Sequence, residues 1–467
     1  MKLTLAFVAI LAGAVSAPRA DAQTTSAEMQ ELRAELALLR AEVAALRKEI
    51  RDGRAPLAQP RLSPATYTAS TAAPPAAASE STQEQSGPST EMLQSQIAEL
   101  AQTKVESNSR FPVKLFGALV SNTFFNRSVG GEADWIDNPT IVAAPVPGLP
   151  RGSFSSSMRQ TRLGAILEGP QIGGLRSNAV VAIDFFGAIP QFDTGTVIGT
   201  PRLLYAYARL EGERSALQIG QDQMLFAPSN PTSLAAMSFP SFYRSGNLYA
   251  RYPQIRFEHT RSTSEHNTWI FAGGMIAPLG GSTPVPGSFV YGNFPGERSM
   301  HPALQTRMAW RHRNSANNGF EMGASGHLGR IRFAPGYETS WGFALDFDGR
   351  AGRFGAGGEM FVGENLGAMG GAVAQFARSA GGFLEARWHA TPRLDFNAGY
   401  GTDRLFDFGL AFSALRYRAN ASAFGNFIFR FTPEFESSLE YRWLSTAPLA
   451  GTDRRNNHVN LIFIYRF

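Results

Sequence analysis

The last eleven residues, Asn457 to Phe467, read NHVNLIFIYRF and place Val459, Leu461, Phe463, Tyr465 and Phe467 on alternate positions. Side chains along a strand alternate between its two faces, so this segment presents one continuous apolar face. A strand ending at an aromatic carboxy terminus either closes a ring with the first strand or stays an open edge. An open edge cannot exist in hydrocarbon, because its backbone groups would have no partners. The reading is therefore the closing strand of a bacterial outer-membrane β-barrel, with the edge strand of a soluble sandwich as the alternative.

The same period of two recurs from Phe111 onward. Leu304, Thr306, Met308 and Trp310 alternate with Gln305, Arg307, Ala309 and Arg311, and Trp341, Phe343, Leu345 and Phe347 alternate with Gly342, Ala344 and Asp346. One face is apolar and the other carries charge, which is the lipid-out, water-in pattern of a membrane barrel. Sixteen such segments are expected, at 113–126, 154–167, 177–186, 202–210, 215–226, 247–259, 267–276, 302–311, 319–329, 338–347, 353–363, 382–389, 394–403, 419–431, 435–445 and 457–467. Short connections at 211–214, 348–352, 391–393 and 432–434 contrast with long ones at 127–152, 227–246, 277–300 and 364–381. Short turns belong in the periplasm and long loops outside, which sets the orientation.

Composition agrees. Charged residues make up 17% of the chain against roughly 25% in soluble domains, while glycine numbers 47 and aromatics reach 11%. With no cysteine, disulfides and thiolate chemistry are excluded. The net charge of +5 is spread singly over strands, with no basic cluster, so nucleic acid is not an expected partner.

Residues 1–22 have Lys2, an apolar run from Leu3 to Val15 and small residues at Ala20 and Ala22, the form of a secretory signal. Residues 23–51 carry a heptad seam, with Met29, Leu36, Val43 and Ile50 at a and Leu32, Leu39 and Leu46 at d. Glu35 and Glu42 at g face Arg40 and Arg47 at e of a neighbouring parallel helix, so a periplasmic coiled coil is expected. Residues 52–110 form a linker rich in Pro, Ala, Ser and Thr, with a short helix expected at 91–106. Residues 111–467 are the all-β, sixteen-stranded antiparallel transmembrane barrel.

Seven dispersed histidines make no metal-spaced pair, and no GxSxG, P-loop or GxGxxG stretch is placed to act. The chain reads as a non-enzyme without cofactor or metal. By strand parity the inward set holds Arg162, Arg209, Arg256, Arg307, Arg311, Arg387, Arg430 and Arg442, with Asp184, Glu258, Glu321, Asp346, Glu359 and Glu385 as potential partners. Tyr205 and Tyr207 join them as candidate pore-lining residues. The region holds 31 Arg and one Lys against 26 Asp plus Glu, a balance of +6, so a constriction favouring anions is expected. The connection APSNPTSLAAMSFPSFYRSG at 227–246, with Phe239, Phe242, Tyr243 and Arg244, is the candidate constriction loop.

The order of signal, short coiled coil, polar linker and barrel, with SFSSSMRQTRLGAILEG at 153–169, PRLLYAYARLEG at 201–212 and GNLYARYPQIRF at 246–257, resembles the DcaP-like trimeric porins. That resemblance implies a homotrimer in the outer membrane, surrounded by its lipid and admitting small anionic solutes such as dicarboxylates. Ligand contacts do not transfer residue by residue, so the arginines above rest on parity. The alternative from another class is an envelope protein that tethers the outer membrane through its coiled coil.

Overall fold

A computed structural model describes residues 112–128, 137–145, 147–148, 151–187, 199–277, 296–315, 317–333, 336–371, 377–407 and 417–467. The signal, the heptad seam, the linker and the 91–106 helix lie outside the described residues.

Seventeen strand segments form one closed antiparallel sheet. In chain order they are β1 (Val113–Asn126), β2 (Ser153–Ser157), β3 (Arg162–Glu168), β4 (Arg176–Asp184), β5 (Arg202–Glu211), β6 (Ser215–Gln223), β7 (Arg251–Ser262), β8 (Asn267–Ile276) and β9 (Ala303–Ser315). There follow β10 (Asn318–Phe333), β11 (Gly336–Ala351), β12 (Phe354–Glu364), β13 (Arg378–Thr391), β14 (Leu394–Asp407), β15 (Tyr417–Arg430), β16 (Phe435–Pro448) and β17 (Arg454–Arg466). β17 pairs with β1 from Ala118 opposite Arg466 to Asn126 opposite His458, and this closes the ring.

The segments β2 and β3 are two halves of one strand, since both pair with β1, at 122–126 and 113–118. The barrel is therefore sixteen-stranded. An unbroken strand over 154–167 was expected; instead residues 158–161 leave the ladder. The physical cause is polar demand from inside: Gln160 binds the backbone of an inward loop, and Arg159 forms a buried ion pair with Asp137. Two other boundaries move for a similar reason. β6 stops at Gln223 and β7 starts at Arg251, because 224–250 turns inward instead of extending either strand.

Alternation holds along the wall. In β17 Ile462 and Ile464 are fully buried and Leu461, Phe463 and Tyr465 are exposed; in β9 Gln305 is buried and Leu304 and Met308 are exposed. The exposed set is apolar on all sides, as hydrocarbon requires of a barrel that leaves no edge. No described helix is long and apolar enough to span a membrane, and this barrel crosses with strands. Both barrel ends of the chain, β1 at its start and β17 at its finish, lie on the side of the short turns.

Candidate functional site

Connection 224–250, here L3, enters the lumen and runs along the inner wall. A chain segment inside a barrel carries backbone N–H groups that need acceptors. The wall supplies them in sequence. Gln305 on β9 accepts from the Leu225 and Phe226 amides at 2.9 and 3.2 Å, and Ser325 on β10 accepts from Ala227 at 3.0 Å. Glu359 on β12 accepts from Ser229 at 2.9 Å, and Glu385 on β13 from Thr232 at 2.8 Å. Past Ser233 the loop reaches the opposite wall. There Gln160 donates to Ala235 O and accepts from the Ser238 amide, and the Ser238 hydroxyl donates to Asp184 at 2.9 Å. Glu359, Glu385 and Asp184, foreseen as arginine partners, thus all hold L3; only Asp184 also pairs with an arginine, Arg202.

The return limb is pinned by Phe242, which is wholly buried between Phe383 and Phe424 at ring distances of 5.5 and 5.2 Å. The wall beneath it is paved with glycine. A Cβ on Gly401 would lie 2.4 Å from Ser245 O and 2.9 Å from the Phe242 ring. Phe239 packs at 5.6 Å from Phe186 and 5.1 Å from Tyr243, with the Arg202 guanidinium 4.7 Å above its ring. Arg244 takes a left-handed backbone, φ 63°, and its carbonyl accepts from Asn420. Of the four expected constriction residues, Phe242 is a wall anchor, while Phe239 and Tyr243 belong to an aromatic cluster on the other side of the loop.

A second segment, residues 137–143, also folds inside, burying Asp137, Asn138, Thr140, Ile141, Val142 and Ala143. Arg442 joins it to L3: its guanidinium donates to Asn138 at 2.7 Å, to Ser241 at 3.1 Å and to Glu440 at 2.7 Å, with 0% of the side chain exposed. That residue therefore sits beneath the loops and not on the open passage.

The remaining inward arginines fall into two groups. Arg209 pairs with Glu211 and Glu258, Arg256 with Asp222 and Glu258, Arg307 with Glu321 and Asp346, and Arg311 with Glu321. Arg387 pairs with Asp348, and Arg430 with Asp395 and Glu436. Each positive charge in this group is offset by a neighbouring acid. Removing one member strands a partner: Arg307→Gln leaves the buried Asp346 without its cation and Glu321 with Arg311 alone, at a cost of about 3 kcal/mol. A lower melting temperature of the folded barrel, followed by its heat-induced gel shift, is the expected result.

The second group is Arg162 at the start of β3 and Arg251 at the start of β7. No carboxylate among the described residues pairs with either. Asp184, which stands opposite Arg162 in the β3–β4 ladder, is taken by Arg202 at 3.0 and 2.6 Å. Arg251 lies 5.3 Å from the Tyr205 ring and 4.8 Å from the Tyr249 ring, and Tyr205, Tyr249 and Arg251 all lie within electrostatic reach of Arg162. Arg162 Nε and Arg251 Nε and Nη2 are buried with no hydrogen-bond partner. Burial raises the pKa of the Tyr249 phenol above its ordinary value, so it stays neutral beside these cations. Both guanidiniums thus keep unused donors, and Arg251 is backed by the faces of Tyr205 and Tyr249. Arg162 and Tyr205 were legible from parity. Arg251 was not, because it is the first residue of its strand and has outward parity; only the packing of L3 turns it toward Tyr205.

This closed barrel of sixteen strands, narrowed from within by its own loops, has the fold of outer-membrane porins. The outer membrane channel DcaP of Acinetobacter baumannii superposes with a TM-score of 0.59 at 16% identity, covering 76% of this chain and 97% of that one. OprB of Pseudomonas putida gives 0.48 at 13%, covering 79% and 97%, and an anion-selective porin from Comamonas acidovorans 0.47 at 11%, covering 76% and 100%. Neither a protein-family model nor a curated protein sequence matches the chain. At these identities the likeness is one of fold.

Proposed function

We propose that this protein is a passive outer-membrane channel of the DcaP-like type that favours small anions, dicarboxylates among them, and carries out no chemical step. The observation that carries the reading is the Arg162 and Arg251 pair. Among the described residues these two guanidiniums have no acid partner, whereas Arg209, Arg256, Arg307, Arg311, Arg387 and Arg430 each have at least one. Two cations a short distance apart match the two ends of a dicarboxylate, and each offers a bidentate donor set. Tyr205 and Tyr249 supply flat apolar walls for the carbon skeleton between them. The paired arginines then act as a balanced, polar lining that keeps the lumen wet. The chain enters β1 from the short-turn side, so the heptad seam at 29–50 would stand in the periplasm.

Planar-bilayer recording of the purified folded protein tests this. Discrete conductance steps are expected, with a reversal potential in a potassium chloride gradient of the sign given by chloride preference, and added succinate should reduce the chloride current. Absence of steps overturns the channel reading and puts the tether in its place. Steps with a cation-signed reversal potential overturn the anion preference alone.

A further inference from the structure

The histidines are dispersed in sequence, but the fold brings two of them together. His266 ends the turn between β7 and β8, and His312 lies on β9 directly opposite Asn267, the first residue of β8. The two rings are 6.2 Å apart, centroid to centroid, at an angle of 58°. With metal–nitrogen bonds of about 2.0–2.1 Å, two imidazoles on one zinc ion have centroids roughly 5–6.5 Å apart, so the pair already stands at chelating distance.

The protons on both rings are fixed by their partners. His266 Nδ1 lies 3.0 Å from the Arg313 carbonyl oxygen, which can only accept, so Nδ1 carries the hydrogen. His312 Nδ1 lies 2.9 Å from Asn267 Oδ1. That atom is an oxygen on two grounds: Trp310 Nε1, a donor only, points at it from 3.3 Å, and the Asn267 amide nitrogen donates to Ser264 Oγ at 2.9 Å. Both rings therefore carry their proton on Nδ1, and among the described residues neither Nε2 has a hydrogen-bond partner. An imidazole that donates through one nitrogen to an oxygen and leaves the other bare is the form in which histidine ligates a metal. The donated bond orients the ring and makes the free nitrogen more basic.

The pair stands at the short-turn end of the barrel, and His312 shares outward parity with the exposed Leu304 and Met308, away from the lumen. Trp310 at 6.3 Å and Phe320 at 5.5 Å flank the His312 ring, while His266 is exposed. Among the described residues no three metal-ligating side chains converge, so the chain supplies two ligands and leaves the other positions to water.

We infer that His266 and His312 form a two-histidine site for a divalent transition metal of the zinc and copper class, at the rim of the barrel and apart from the conduction path. Imidazole selects such ions over magnesium and calcium, which take oxygen ligands. The ion clips the β7 to β8 turn onto β9, and Asn267 is the positioning residue behind His312.

The test uses the full chain without an affinity tag, folded in detergent. Zinc titrated by calorimetry should bind, and excess magnesium should not displace it. His266→Gln and His312→Gln should each abolish this binding, while His301→Gln, whose ring meets Tyr337 instead, should leave it unchanged. Asn267→Leu should weaken it about ten-fold, and Asn267→Asp should retain it because the carboxylate restores the acceptor behind His312. Copper(II) in place of zinc should show splitting from two imidazole nitrogens in its electron paramagnetic resonance spectrum. Diethyl pyrocarbonate modification of the unaltered chain covers the case in which a variant does not fold: zinc should protect His266 and His312 together. No zinc bound by the unaltered protein, binding that survives His266→Gln/His312→Gln, or protection that does not include both rings would overturn the site.

Discussion

Replacing Arg162 and Arg251 together by Glu is expected to reverse the sign of ion selectivity. The exchange moves four units of charge at a place on the inward wall where, among the described residues, the arginines have no carboxylate to offset them. Unit charges 4 Å apart interact by about 4 kcal/mol near a protein surface at an effective dielectric of 20, against about 1 kcal/mol in bulk water. Screening over ~8 Å at physiological salt limits how far each charge reaches, so the effect is concentrated where the passage is narrowed beside L3. Neutral Arg162→Gln/Arg251→Gln should fall between the unaltered and reversed channels. The comparison that gives the result meaning is Arg256→Gln/Arg307→Gln/Arg311→Gln. It removes three charges from residues already paired with Asp222, Glu258, Glu321 and Asp346, and should lower the anion-to-cation permeability ratio while conductance persists. Reversal potentials in a salt gradient read all three. A reversed channel for the second set and an unmoved one for the first would place selectivity on the paired wall and remove the role given to Arg162 and Arg251.

Strand alternation made most of the barrel legible before any coordinates. The closing strand, the sixteen-strand count and the inward parity of Gln305, Arg307 and Arg311 all follow from side chains that must choose between lipid and water. What alternation does not encode is which inward polar groups bind each other and which bind a loop. Glu359 and Glu385 have the same parity and charge as Glu258 and Glu321, yet the first pair hold amides of L3 and the second pair hold arginines. The difference lies in the path of a loop joining β6 to β7, which carries no periodicity. The break at 158–161 is hidden for the same reason: Met158, Arg159, Gln160 and Thr161 are ordinary strand residues until Asp137 and the L3 backbone compete for them. Arg442 illustrates the limit of parity most directly, being inward as expected yet wholly covered by two loops.

L3 is held by a ladder of wall acceptors at one end and, on its return, by Arg442, Asn420 and the Phe242 ring, and the glycine-lined wall under that ring is where a side chain would lift the limb. Gly401→Leu is expected to raise single-channel conductance and lower the melting temperature together. The new Cβ would lie 2.4 Å from Ser245 O, a backbone atom, so the return limb must move off the wall and no side-chain rotation relieves it. Phe242 then leaves its seat between Phe383 and Phe424, and the loss approaches that of truncating a buried phenylalanine, about 3 kcal/mol. Phe242→Ala should act in the same direction with less displacement, since it empties the seat without pushing the loop. Gly425 on the neighbouring strand β15 is the control, because a Cβ there meets nothing within 4 Å; Gly425→Ala should leave both conductance and melting temperature unchanged. Recording the three variants beside the unaltered channel separates a loop that narrows the pore from one that only stiffens the barrel. In the second case Gly401→Leu would lower the melting temperature with conductance unmoved, and L3 would lose its part in the constriction.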